Sequence, residues 1–339
     1  MGEAKAKRPG FDWRGAGDVL GMLVVLAGLA ALFGRFSDHF WSVQTVKTIV
    51  NQSADLTALA VGMTLVLVIA GIDLSVGSVM ALCGAVLGVA MVDWDLPLPV
   101  ALLLCLATGG ACGLINGFIT VHWSIPSFIV TLGMLESARG ATYLVTRSET
   151  KYVGARVEWL SHPIAGLGAS ASFLIALAMV VLGHVLLTRT VMGRYMIAIG
   201  TNEEAVRLSG VNPNPTKLWT FVISGLCAAA AAVFQVSRVS SADPNAGVGL
   251  ELGAIAAVVI GGTSLMGGRG SVLRSFLGVL VIAVLQTGLD HVGASEPSKR
   301  LISGAVIVLA VVADVHRGRW AGSARKLAGR LRRGTRPSS

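Results

Sequence analysis

Apolar stretches alternate with short polar or Pro/Gly-rich breaks along almost the whole chain. A helix needs about 20 residues to cross a hydrocarbon core about 30 Å thick. Cutting the apolar stretches at charged and Pro/Gly clusters gives blocks near that length at residues 18–36, 46–70, 76–93, 98–121, 127–146, 168–188, 216–236, 251–267, 272–290 and 299–315. The pattern predicts about ten transmembrane helices in one membrane domain, with no appended soluble module. The last block has a charge-free core only from Leu301 to Ala313, and Lys299 and Arg300 can extend from it toward the interface.

Composition agrees. Only 13% of the 339 residues are charged and 54% are hydrophobic, with a mean hydropathy of +0.74, whereas a soluble domain carries about 25% charged residues. The expected class is an all-α integral membrane protein: a basic N-terminus (1–17), a transmembrane domain (18–315) and a basic tail (316–339). The first block is full length and lacks an A-x-A-type cleavage site, which predicts a retained span and not a signal peptide.

Charge sets the orientation. An even number of spans puts both termini on one side, where eighteen Lys/Arg residues fall against eight on the other. The positive-inside bias therefore predicts cytoplasmic termini. Eight of those basic residues lie in the tail, so the net charge of +9 reads as an orientation signal in a lipid bilayer and not as a nucleic-acid surface. Cys83, Cys105, Cys112 and Cys227 all sit inside apolar blocks at spacings that fit no zinc or redox pattern. They are expected to pack as small hydrophobes, with no disulfide and no metal.

Two connections are long. Residues 147–167 carry mixed charges and too few apolar residues to insert, so they either face a soluble partner outside or cap the bundle. On the cytoplasmic side, GTNEEAVRLSGVNPNP predicts a short helix over 203–209. Thr201 or Asn202 can cap it, Glu203 and Glu204 put negative charge in its first turn, and Gly210 stops it before Pro213. Such a helix is about 10 Å long, too short to span. A rigid contact for another protein and a plain interfacial connector are both compatible with it.

Polar groups inside spans cost several kcal/mol if unpaired in lipid, so few are expected without a role. Asn116, Thr131, Gln235 and Gln286 are the candidates for a translocation path. Glu136 is read as the only carboxylate well inside a span, and Arg139 lies one turn on, where the two can neutralise each other. That pair either holds helices together or touches solute. Small residues at Gly109, Gly113 and Gly117 allow close helix approach, and Pro126 is expected to open a span. Asp73, in VIAGIDLSVGSVMAL, falls between spans two and three on the cytoplasmic side. There Asp73 or Ser75 can cap the next helix while Gly71 and Gly77 permit a tight turn, or the segment can serve in gating. VIAGIDLSVGSV at 68–79 and VIGGTSLMGGRGSV at 259–272 share enough pattern to suggest an internal repeat, which coincidence would also explain.

Four stretches in one order, GIDLSVGS, NGFITVHWSIPSFIVTLGMLESARG, GRYMIAIGTNEEAVRLSGVN and AIAAVVIGGTSLMGGRGSV, resemble the ribose-type permeases of bacterial ATP-binding cassette sugar importers over about residues 45–314. EAVRLSG is similar to the E-A-A-x-x-x-G element by which such permeases dock on the ATPase, with Val206 in place of the second alanine. The resemblance implies that Glu203, Glu204, Ala205, Arg207, Leu208 and Gly210 meet a cytoplasmic ATPase. It further implies an extracytoplasmic solute-binding protein, a second permease copy and residence in the bacterial inner membrane. ATP and magnesium would be held by the partner, since the chain has no G-x-x-x-x-G-K-[ST] loop and needs no cofactor of its own. Arg274 and Asp290 depart from the glycine and asparagine that the family commonly has. Asp290, beside His291, is expected to be solvated or to touch solute or binding protein. Import of a ribose-like sugar or similar polar solute is the leading expectation. A nucleoside or branched-chain amino-acid permease and an ion-coupled secondary transporter are the alternatives.

Overall fold

The computed structural model describes residues 13–37, 39–306, 308, 309 and 312, so most of the basic N-terminus, the end of the tenth apolar block and the basic tail lie outside the described residues. The chain is almost entirely helical. In order come α1 (Trp13–Phe36), α2 (Val43–Gln52), α3 (Ala54–Val68), α4 (Val76–Val92), α5 (Leu98–His122), α6 (Ser127–Thr146), α7 (Ala155–Glu158) and α8 (Ala171–Arg189). They are followed by α9 (Val191–Thr201), α10 (Glu203–Leu208), α11 (Asn214–Val239), α12 (Leu250–Ile260) and α13 (Val272–His291), with a further helical run at 296–306. One two-stranded antiparallel ribbon pairs β1 (Lys151–Tyr152) with β2 (Ser241–Ala242).

Among the described residues, five helices are long and apolar enough to cross a membrane, or six if α2 and α3, bent by 42° at Ser53, count as one span. Two expected spans are therefore interrupted. Block 46–70 is broken at Ser53, and block 251–267 contains only the 11-residue α12, about 16 Å long, before a non-helical run at 261–271. At Ser53 the break is a single residue between two helices, and at 261–271 the breaking segment is glycine-rich with few charges, so neither interrupts the apolar pattern strongly.

The bundle is organised around α11. It lies antiparallel to α3, where Gly62 meets Ser224, and against α5, where Gly109 and Gly113 press on Gly225 and Phe221 so closely that no side chain fits between. The small residues of α5 thus set the distance between two helices. At the strand end, Val153, Val157 and Leu160 are buried and Lys151 reaches Asp93 at 3.1 Å. The 147–167 connection caps the bundle, while Tyr152 and Trp159 remain exposed on its outer side.

The two stretches suspected of repeating have the same design. Each joins the end of a short helix to the start of another through non-helical backbone, α3 to α4 at 69–75 and α12 to α13 at 261–271. They also touch, the Gly268 amide donating to the Val68 carbonyl at 2.9 Å.

Candidate functional site

The α3–α4 break is built from extensive polar pairing. α3 ends with Ala70 in the left-handed region at φ 60°, its amide on Leu67 and the Gly71 amide on Val66, a closure usually made with glycine. The extended residues beyond it would expose bare backbone, which is tolerated at membrane depth only inside protein. Here α6 satisfies them: Ser127 Oγ accepts from the Ile72 amide at 2.9 Å, and Thr131 Oγ1 accepts from the Leu74 amide while donating to the Ile72 carbonyl. Pro126 caps the same end of α6.

Asp73 sits at the centre. Expected at a turn on the cytoplasmic side, it is 2% exposed. Asp73 Oδ1 accepts from the Ser75 amide at 3.0 Å and hydroxyl at 2.6 Å, and Oδ2 accepts from Ser224 on α11 at 2.9 Å. Asn116 on α5 donates to Ser75 at 3.0 Å. Neither Asp73 nor Ser75 caps the first turn of α4, so the capping expectation is corrected: the aspartate ties α4 to α11. Gly77 packs against Gly247 and Glu251 with no room for a side chain. Asn116 and Thr131, two of the four expected path residues, belong to this junction. Asn116 Oδ1 is buried with no partner among the described residues.

Polar cavities lie at both ends of the α3–α11 pair. At the α10 end a cavity of about 500 Å³ is bounded by Ala70, Ser124, Ser127, Asn202, Glu203 and Lys217. At the strand end one of about 290 Å³ contains Gln52, Asp55, Gln235, Arg238 and Gln286. Lys217 and Gln235, on one helix, place the two about 27 Å apart at 1.5 Å per residue, close to the membrane thickness. The Asp73–Ser224 contact lies between them.

The strand-end cavity brings together Gln235 and Gln286, and adds two charges the sequence reading missed. Asp55 is buried in the first turn of α3, and Arg238 Nη2 binds its Oδ2 at 2.7 Å. Glu136 is therefore not the sole carboxylate inside a predicted span. The signal was available: Asp55 and Arg238 are opposite charges at the same-side ends of blocks two and seven. Glu136 lies on the outward face of α6 and does not pair with Arg139, whose Nη1 donates to the Pro244 and Ala246 carbonyls at 2.8 Å each. The helix-face pairing is thus corrected: the loop before α12 offers Arg139 two strong acceptors. Asp290 is exposed, as expected of a solvated carboxylate, and in addition pairs with Lys299.

α10 is held rigidly. Asn202 accepts from the Ala205 amide at 3.0 Å, Gly210 follows at φ 83°, and Val206 is buried. Glu203 receives Arg207 at 2.8 Å and Lys217 at 3.0 Å. Partial burial pushes its carboxyl up, but the hydrogen bonds and charges of Arg207 and Lys217 outweigh this and hold it below the usual range. Glu204 and Ala205 face outward, and Leu208 is 80% exposed. Just before α10, Gly200 abuts the Val68 carbonyl and Gly268 amide without space for a Cβ, so α10 is mechanically continuous with the α3–α4 break.

The sequence profile of a family described as "Branched-chain amino acid transport system / permease component" matches residues 45–311. The chain is 38% identical to the ribose import permease protein of Escherichia coli strain K12, over 86% of this chain and 92% of that one. It is 37% identical to the galactofuranose transporter permease protein of the same strain, covering 86% and 87%. It is 32% identical to the fructose import permease protein of Rhizobium meliloti, covering 86% and 84%. No solved structure matches the chain.

Proposed function

Because the chain belongs to the family of branched-chain amino acid transport system permease components, as a multi-pass protein of the bacterial inner membrane, we propose that it moves a monosaccharide inward as the membrane subunit of an ATP-driven importer. Its relatives named for ribose, galactofuranose and fructose support a sugar as solute. The observation that carries the mechanism is the pair of polar cavities at opposite ends of α3 and α11, separated by the buried Asp73 junction. A path with two mouths and a closed middle suits alternating access, in which one mouth opens as the other shuts.

In this reading the chain crosses the membrane ten times with both termini in the cytoplasm, counting the broken pairs as spans. α10 then lies in the cytoplasm and docks a partner ATPase that holds ATP and magnesium, with Glu204, Ala205 and Leu208 as its outward face. The strand end receives solute from a binding protein, and a second copy of the permease completes the path. Gly200 connects docking to the α3–α4 break, so movement of α10 reaches the Asp73 junction directly.

Vesicles containing the permease, its ATPase and its binding protein test this. Uptake of ribose, fructose or allose should require ATP and should stop when Glu204→Lys and Leu208→Asp are placed on the exposed side of α10. Uptake that persists without ATP would establish ion-coupled transport instead.

A further inference from the structure

The strand-end cavity is equipped beyond what a passage requires. Among the described residues, Gln52, Gln235 and Gln286 make no side-chain hydrogen bond to the rest of the chain, and only one guanidinium nitrogen of Arg238 is engaged. Gln52 and Gln286 are exposed and Gln235 is half-buried, so these groups are open to water and free to exchange it for a ligand that offers matching bonds. Each amide offers an acceptor and two donors, and Arg238 adds further donors. Hydroxyl groups, which both donate and accept, complement that mixture.

Charge narrows the ligand. Asp55 and Arg238 neutralise each other at 2.7 Å, so the recess carries no net charge that would favour an ammonium or a carboxylate over an uncharged solute. An amino acid carries both. Leu56, Leu250 and Ala283 supply an apolar wall suited to the C–H face of a sugar ring. The volume of about 290 Å³ lies at the small end of ligand pockets, which run from about 300 to 1,000 Å³, and fits one ring better than two. A second cavity of about 490 Å³, sharing Leu56, Leu250 and Gln286, adjoins it and carries the Asp290–Lys299 pair.

We propose that this cavity is a solute-reading site inside the permease, selecting uncharged monosaccharides through Gln52, Gln235, Gln286 and the free donors of Arg238, with the adjoining cavity as its antechamber. The proposal deepens the importer reading and rests on it. Selection would then occur twice, once in the binding protein and once here.

The test uses the detergent-solubilised full-length chain carrying Ala283→Cys, whose new thiol lines the cavity while the four native thiols are buried. Modification by a methanethiosulfonate reagent should be slowed about fivefold by ribose, fructose or allose at about 50 mM, which corresponds to a dissociation constant near 12 mM. Leucine at the same concentration should not protect. Adding Gln235→Ala and Gln286→Ala should remove the protection while the melting temperature stays within about 2 °C. A thiol that never reacts, protection by leucine alone, or no protection by any of the sugars overturns the proposal. Protection without ATP-driven uptake in the vesicles would leave the site standing and sink the importer reading. Uptake without protection would do the reverse.

Discussion

The Asp73 junction and the strand-end cavity are both polar and both lie on α3 and α11, yet they are built on opposite principles. At the junction both carboxylate oxygens, both serine hydroxyls and the amides of Ile72, Leu74 and Ser75 find partners inside the chain, and Asn116 is held through its amide nitrogen with only its Oδ1 left over. In the cavity one ion pair is satisfied and three amides are left without partners. A polar group with internal partners holds helices in place. One without them, kept beside open volume, is available to something that arrives from outside. The contrast separates the four expected path residues into two for structure, Asn116 and Thr131, and two for solute, Gln235 and Gln286.

The contrast breaks most visibly at Asp73. Asp73→Ala would strand the Ser75 amide and hydroxyl and the Ser224 hydroxyl, each costing about 1–3 kcal/mol when buried unpaired. The expected loss is about 3 kcal/mol or more, read as the largest drop in thermal midpoint of any single variant named here. Asp73→Asn keeps an acceptor for Ser75, and the Ser224 hydroxyl can rotate to accept from the new amide, so about 1 kcal/mol is expected. Equal losses for the two variants would show that the junction is not held by hydrogen bonding.

Arg238→Met probes the one satisfied contact in the cavity. It leaves Asp55 buried with the Leu56 amide but no charge partner, and because Arg238 is itself about a third exposed the cost should fall below that of a fully buried pair, at about 1–2 kcal/mol. Adding Asp55→Asn should return most of it. A double variant no better than the single would place the Asp55 charge in contact with water already.

A third polar cluster, on α10, calibrates both. Glu203 has its folded pKa depressed below 4.5, so its contribution is present above the unfolded value and is lost as pH falls through the lower folded one. Exposed pairs of this kind contribute about 0.2–1 kcal/mol. Hydrogen exchange in α10 should therefore accelerate only when pH drops below about 4.5, and Glu203→Gln should show the faster exchange already at pH 7. A pH dependence unchanged in that variant would exclude Glu203 as the titrating group.

How much of this was legible beforehand varies with range. α10 was readable because its signals are local: Asn202, Glu203 and Gly210 act within a few residues. The long spans α5, α8, α11 and α13 were readable from length and apolarity. The gap at 69–75 was marked by blocks that end at 70 and resume at 76, but the groups that hold it, Ser127 and Thr131, are distant and were not; at 261–271 only the last four residues were left outside a span, and the contact with Val68 was not legible. For the same reason Asp73 read as a helix-capping turn, whereas its partner Ser224 lies far along the chain. Arg139 was misassigned because an available neighbour at i−3 is weaker bait than two carbonyls from a loop. Gln235 and Gln286 could be named one by one, but that they share a recess depends on three helices meeting.

The smallest expected effect on stability is the most informative. Gln235→Ala with Gln286→Ala removes side chains that bond to nothing else in the described chain, so unfolding should shift by no more than about 0.5 kcal/mol. Uptake should nevertheless fall steeply, because hydroxyls of the solute would lose two amide partners, each worth about 0.5–1.5 kcal/mol, or roughly tenfold or more together. Stability and transport would thus dissociate here, whereas at Asp73 they should fall together. If this pair of changes instead destabilised the fold as Asp73→Ala does, the amides would have to be counted with the junction as structural, and the division between satisfied and waiting polar groups would no longer hold.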